Sequence, residues 1–395
     1  MRRIPLERAA LWLLYGTVAA LQVSIAAAQT LLALMLVAWI AMLTQGRARP
    51  GAPPFFRALA VYAVFTLAAT VFSVEPLTSL VDDKQLLLLL TVPAVYEIAR
   101  GGRARTVLAV IITAGAASAV AGIVQYGMLH YNNLGQRPQG SLGHYMTYSG
   151  LLMLVAMAAA ARLLFEARNR TWPALVMPAL LVALALTFTR SAWVGASAGI
   201  AALLLLKDFR LLGALPVVLA VGIAIAPPQV THRFYSMFDL NDPTSRDRVA
   251  MLREGVRMIA ADPLTGMGPN MVERQYARFR DAEAVERVNP HLHNVPMQIA
   301  AERGLPALFA WLWFVGSAHS PAEALLRRGR HRVGGPQVGD DLFGGGFGHA
   351  GRLLPGELGL LVVGHPGGPA QHAHLAELVD QRRGGRGDPV VAHRH

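Results

Sequence analysis

The sequence predicts an all-α polytopic membrane protein: about ten transmembrane helices, with one large polar loop between the last two. Three observations predict it. The chain is 54% hydrophobic and only 15% charged, with a mean hydropathy of +0.40, whereas water-soluble domains carry roughly 25% charged residues. Its apolar runs repeatedly approach the roughly 20 residues that a helix needs to cross a core of about 30 Å. Basic residues then recur in every second loop, as the positive-inside bias of membrane insertion requires.

The apolar runs place spans at about 9–27, 29–45, 57–74, 80–99, 106–129, 144–164, 173–189, 191–206, 211–227 and 305–316 onward. Backbone groups in lipid must be satisfied within their own segment, so these runs are helices. Residues 1–30 combine Arg2 and Arg3 with an apolar stretch and Ala26-Ala27-Ala28, a signal-like pattern. A second apolar run follows at once, so the segment reads as an uncleaved first span. Arg2, Arg3 and Arg8 precede that span, and Arg47, Arg49 and Arg57 lie between the second and third. Arg100, Arg103 and Arg105 follow the fourth, Arg162, Arg168 and Arg170 the sixth, and Lys207 and Arg210 the eighth. Arg327, Arg328, Arg330 and Arg332 follow the tenth. The alternate loops carry almost no positive charge, which puts the N-terminus in the cytoplasm and the long loop outside.

Residues 1–227 therefore form a domain of nine spans, residues 228–304 the outer loop, and residues 305–316 the start of the tenth span. From Ser317 the composition changes: 17 glycines and 8 of the chain's 13 histidines fall in residues 317–395, with no apolar run of spanning length. This tail reads as low complexity, and a shift of reading frame soon after Trp313 accounts for it. The net charge of +12 fits arginine-rich cytoplasmic loops on anionic lipid headgroups and requires no nucleic acid. With no cysteine in the chain, disulfides, thiol nucleophiles and cysteine–metal sites are excluded.

The loop itself divides into three. A helix from Thr244-Ser245-Arg246-Asp247-Arg248 to Ala261 carries Val249, Leu252, Val256 and Ile259 at helical spacing, an amphipathic face expected to lie over the membrane domain. Ser245 or Thr244 can cap it. Asp262-Pro263 ends it, and a glycine-rich turn follows through Asn270. A second helix is expected over about 271–286, then Asn289-Pro290-His291-Leu292-His293-Asn294, then a helix leading into the tenth span.

Two kinds of side chain carry candidate chemistry. A histidine with a pKa near 6.5 can accept a proton from a hydroxyl at neutral pH, which suits His293 and leaves His291 as a supporting group or a cap. A metal at His291-x-His293 needs a third ligand, and none stands at a suitable spacing, so no metal and no cofactor are expected. Arg190, on the tight turn Thr187-Phe188-Thr189-Arg190-Ser191 between two apolar spans, is costly there unless it faces a polar cavity or partner. Arg248 lies in the first turn of the covering helix, and guanidinium groups grip phosphate through forked hydrogen bonds. Arg253, Arg257, Arg274, Arg278, Arg280 and Arg287 read as solvated helix faces or headgroup contacts. No Asp-x-Asp lies on an outer loop to hold a divalent ion, and Asp82, Asp83 and Lys84 are expected to neutralise one another.

At these residues the chain resembles a known family. Arg248 with Leu252, then Met258-Ile259-Ala260-Ala261-Asp262-Pro263-Leu264-Thr265-Gly266-Met267-Gly268-Pro269, looks like the signature loop of the O-antigen ligase and polymerase superfamily. His291-Leu292-His293-Asn294, Gln298 and Ala301-Glu302-Arg303-Gly304 are similar to it too, as are Gly140 to Thr147 and Thr189-Arg190-Ser191 upstream. The resemblance implies a GT-C-like helical membrane fold with a periplasmic loop, in the bacterial inner membrane. It implies a metal-independent glycosyltransferase that moves a glycan from undecaprenyl diphosphate to an acceptor, lipid A–core or another glycan or protein. By matching positions His293 is the general base, Arg190 and Arg248 hold the diphosphate, and His291, Glu302 and Arg246 support them. Leu252 stands where the family usually has Trp, which is expected to weaken a packing contact in the loop. The family also continues with further spans beyond the tenth, where this chain has its tail. A transporter is the reading of a different class; it predicts paired charges at the bilayer midplane in repeated halves, whereas here the polar residues cluster outside.

Overall fold

The computed structural model describes residues 5–46, 51–133, 135–166, 169–237 and 243–331. Among these the chain is helical throughout, with no strand. The first part comprises α1 (Leu6–Ala20), α2 (Ile25–Thr44), α3 (Phe56–Val71), α4 (Pro76–Asp82), α5 (Thr91–Ile98), α6 (Arg103–Met128), α7 (Tyr145–Phe165), α8 (Thr171–Leu186), α9 (Arg190–Lys207) and α10 (Ala214–Ile225). The loop contributes α11 (Pro228–Tyr235), α12 (Pro243–Ala261) and α13 (Val272–Phe279), and α14 (Val295–His331) closes the described chain.

Among the described residues three helices are long and apolar enough to cross a membrane: Ile25–Thr44, Arg103–Gly127 and Tyr145–Phe165. Phe56–Val71, Thr171–Leu186 and Phe209–Ile225 are apolar but shorter. The expected fourth span is instead α4, a 3-10 segment Asp83–Leu90, and α5. Pro93 explains the break, because its ring lacks an N–H and would clash with the carbonyl four residues earlier, in the 3-10 segment. The helix at the tenth span runs on from residue 316 to His331, so residues 317–331, expected in the low-complexity tail, are helical. Residues 332–395 of the expected tail lie outside the described residues, as do Arg2, Arg3, Arg47, Arg49 and Arg168 of the basic loops.

Two buried clusters hold the apolar helices together. Leu14, Met35, Trp39 and Ile98 join α1, α2 and α5, and Trp39 donates from Nε1 to the buried Glu97 at 3.0 Å. Ile112, Tyr148, Leu152, Val155 and Leu180 join α6, α7 and α8. Close approach of α6 to α7 depends on small residues: a Cβ on Gly115 would stand 2.5 Å from Val155. Leu34, Val37 and Ile40 on α2 and Val61 and Val64 on α3 remain exposed, the arrangement of helices that bury one side in protein and offer the other to lipid.

The loop is fastened to this scaffold through its glycines. Gly304 has φ 77° and breaks α14 into a loop part and a continuing part that packs along α3. A Cβ there would stand 2.1 Å from the carbonyl oxygen of Leu264. Gly266 and Gly268 have φ 66° and 106°, and a Cβ on Gly268 would meet Ser73 Oγ at 1.9 Å. The turn is paired on both sides. Met267 N and Gly268 N donate to the carbonyls of Ala301 and Glu302, each at 2.9 Å, while Val74 N donates to Met267 O at 3.0 Å. Ser79 Oγ donates to Pro269 O at 2.8 Å.

Candidate functional site

The His291-Leu292-His293 segment is held at its middle residue. Leu292 is buried in the loop core with Met251, Met258, Met267 and Met271. Its N–H donates to Gln298 Oε1 at 2.8 Å. Asn294 caps α14, its Oδ1 accepting from Met297 N at 3.2 Å. Between these two anchors His293 takes φ 50°, a left-handed conformation uncommon for a residue with a Cβ. The fixed neighbours hold the chain there, and His293 itself is exposed to solvent.

His293 sits within electrostatic reach of three predicted or adjacent groups. Burial holds its imidazole below the ordinary histidine range, Arg248 and His291 push it the same way, and Asp247 opposes them. The ring is therefore a neutral acceptor at neutral pH. The charges of Arg248 and His291 thus act on His293. Arg246 lies about 200° around α12 from Arg248 and is exposed.

Arg190 forms a second group where α8 meets α9. Phe188 has φ 54° and is buried, and this tight reversal starts α9 at Arg190. The guanidinium donates from Nη2 to Ser236 Oγ, just beyond α11. Ser236 Oγ donates in turn to Arg233 O at 2.8 Å. A cavity of about 390 Å³ opens beside this junction, lined by Asn132, Asn133, Phe188 and four residues of α11.

Glu302 is 4% exposed and links the histidine segment to the membrane helices. Gln298 donates from Nε2 to its Oε1, and Arg303 from Nη1 to its Oε2, both at 2.7 Å. Burial raises the Glu302 carboxyl above the usual range, while Arg303 and, more weakly, the amides of Val272 and Asn270 pull it back. Arg303 also faces Asp82 at 3.7 Å. The expected neutralisation among Asp82, Asp83 and Lys84 does not occur: Asp82 turns to Arg303 and to Gln85 at 2.8 Å, and Asp83 accepts from Thr70 at 2.6 Å.

Two buried carboxylates were not singled out from the sequence. Asp247 accepts from Val285 N and Glu286 N at 3.0 and 3.1 Å and from Asn289 Nδ2 at 3.1 Å. Glu254 accepts from Asp281 N at 2.7 Å. These bonds take the amides that a longer helix would use, so α13 ends at Phe279 instead of near 286. They also set the buried face of α12, which is Asp247, Met251, Glu254 and Met258. Val249, Leu252 and Val256, the expected inner face, are 47%, 51% and 58% exposed, and of that set Ile259 alone packs on the loop core. Leu252 therefore costs the loop core no packing contact. The seven-residue spacing of Asp247 and Glu254, two turns of one face, was the available signal. The side chains of Thr244 and Ser245, the expected caps, lie outside the described residues.

The arrangement offers an imidazole whose protonation Arg248 opposes, a second guanidinium where α8 meets α9, and a buried chain of Gln298, Glu302 and Arg303 that holds Leu292 beside His293. Among the described residues no three His, Asp or Glu side chains gather to hold a metal ion. Residues 174–312, from α8 to the continuing part of α14, match the family model described as O-antigen ligase. That stretch contains Arg190, Arg246, Arg248, His291, His293 and Glu302. No curated protein matches the chain significantly.

Proposed function

We propose, from the match of residues 174–312 to the O-antigen ligase family model, that the chain is a membrane glycosyltransferase of the lipid-linked glycan ligase type. Its donor is a glycan on undecaprenyl diphosphate, and its acceptor is lipid A–core or another envelope hydroxyl. The observation that carries this reading is His293 on a segment anchored at both ends, where partial burial and the charges of Arg248 and His291 lower its affinity for a proton.

In the step, the acceptor oxygen attacks the anomeric carbon of the donor's first sugar. His293 takes the hydroxyl proton as the new C–O bond forms. The bond from that carbon to the diphosphate breaks, and the electron pair leaves with undecaprenyl diphosphate. Arg190 and Arg248 meet the growing charge on the diphosphate oxygens, an electrostatic role that needs no metal. His291 supports His293 from two residues away, Glu302 positions the segment that carries it, and Arg246, on the far side of α12, serves the donor only from the loop surface. The inner membrane, with the N-terminus cytoplasmic and the loop periplasmic, is the location this chemistry requires of an outward-facing site.

A polysaccharide polymerase or a protein O-oligosaccharyltransferase would use the same donor and the same base. Deleting the gene in its host and analysing surface glycan separates them. A ligase leaves lipid-linked polymer accumulating without transfer, and a polymerase leaves single repeat units on the surface. Wild-type surface glycan after deletion contradicts both.

A further inference from the structure

Asp247 has no part in the step above, yet it is buried and fully engaged. Its Oδ1 accepts from Val285 N and Glu286 N at 3.0 and 3.1 Å, and its Oδ2 from Asn289 Nδ2 at 3.1 Å. A carboxylate taken out of water needs such donors to offset its lost hydration. Asn289 is buried as well, and its amide also donates to the buried hydroxyl of Tyr276 at 3.2 Å. The side chain of Asn289 is thereby held between α12 and α13.

Each end of this link adjoins a group proposed for the reaction. Asp247 immediately precedes Arg248 on α12. Asn289 opens the stretch Asn289-Pro290-His291-Leu292-His293. Pro290 fixes its own φ and biases Asn289 toward extended backbone, so an anchored Asn289 gives the following chain a defined direction. Leu292 is anchored again by Gln298, and Pro290 and His291 alone lie between the two anchors. The Asp247 carboxylate also acts on the ring of His293, against the charges of Arg248 and His291. We infer that Asp247 is a positioning residue for glycan transfer: through Asn289 it sets where His293 stands relative to Arg248. The inference rests on the roles proposed above for those two residues. Asp247 acts through the amide of Asn289 and not on the reacting atoms.

The test exchanges the two members of the link in the full chain in phospholipid nanodiscs. Single-turnover transfer of glycan from undecaprenyl diphosphate to lipid A–core is measured beside binding of undecaprenyl diphosphate. Asp247→Asn turns an amide toward the amide of Asn289, donor against donor, while one oxygen still accepts from residues 285 and 286. Transfer should slow by about tenfold to 100-fold, the effect of a misplaced reacting group. Donor affinity should stay within about threefold, because Arg190 and Arg248 remain. Adding Asn289→Asp remakes the link with donor and acceptor exchanged, and the Tyr276 hydroxyl can donate to the new carboxylate. Transfer should then return to within about threefold of the wild-type rate, a rescue that loss of loop packing alone does not give.

A single variant that transfers within about threefold of wild type overturns the inference. So does one that loses donor affinity as far as rate, and so does a folded double variant that stays as slow as the single one. Where Asp247→Asn alone fails to fold, the rate of the double variant decides: recovery supports the inference, and a folded but slow protein overturns it. A wild-type chain that transfers no glycan, or one that His293→Ala does not slow, contradicts the function proposed above, and the positioning role falls with it.

Discussion

Gln298 donates from Nε2 to Glu302 Oε1 across 2.7 Å, one turn apart on α14, while its Oε1 accepts from the backbone of Leu292 at 2.8 Å. One side chain thus fixes the residue between the two histidines and passes the load to a buried carboxylate. That carboxylate is held by Arg303, which faces Asp82 at 3.7 Å where α4 ends. The histidine segment is therefore braced against the membrane helices and not only against its own loop.

Gln298→Ala removes both bonds of that brace. It leaves the amide of Leu292 and one oxygen of Glu302 without their partners, a cost of about 1–3 kcal/mol. The expected result is a lower kcat for glycan transfer with little change in the KM for the lipid-linked donor, because His293 loses its position and the guanidinium groups do not. Steady-state kinetics on purified protein checks it, with thermal unfolding in detergent as the control.

Arg303→Ala should be far more damaging than Arg274→Ala. Arg303 is 14% exposed and leaves the buried Glu302 carboxylate uncompensated, a loss of roughly 3–5 kcal/mol for a buried partner. Arg274 pairs with Glu75 at 2.8 Å, but both side chains are about half exposed, and such surface pairs contribute about 0–1 kcal/mol. Thermal unfolding of the two variants side by side measures the contrast.

Gly304→Ala places a Cβ 2.1 Å from Leu264 O at a backbone φ of 77°. Strain and overpacking together should cost about 2–4 kcal/mol. Gly150→Ala in α7, where nothing lies within 4 Å of the added carbon, should change stability by less than about 1 kcal/mol in either direction. The same unfolding measurement separates the two.

Much of this was legible in the sequence, for reasons that differ between the parts. Apolar runs and arginine spacing locate the helices because lipid imposes one rule on every span. They do not show the break before Pro93, where a local loss of an N–H outweighs a run of leucines. The glycine-rich turn and the His291–Asn294 segment are readable because positive φ and capping demand particular residues. The buried face of α12 is not, since Asp247 and Glu254 are inside only through amides supplied some 27 to 42 residues away. The cavity at α11 draws on three distant stretches with no common spacing, and Arg190 was visible only as an isolated charge.

The pH dependence follows from His293. Its folded pKa lies below the ordinary value of about 6.5. Activity should therefore hold on the alkaline side and fall only as pH drops through that lowered value. His291→Asn removes one of the groups that lower it, so the acid limb of kcat/KM should move upward, toward the ordinary histidine range. On stability the sign is fixed too: the unfolded chain binds the proton more readily, so the protein loses stability as pH falls below about 6.5. A kcat/KM profile between acid and neutral pH, run on both proteins, checks the direction.

The proposal that His293 takes the acceptor's proton is tested most directly by the single-turnover rate of glycan transfer from undecaprenyl diphosphate by His293→Ala, alongside donor binding by the same protein. General-base catalysis predicts a loss of about 100-fold to 10,000-fold in rate with donor affinity preserved. A variant that transfers glycan within about threefold of the wild-type rate, well short of that range, contradicts the claim.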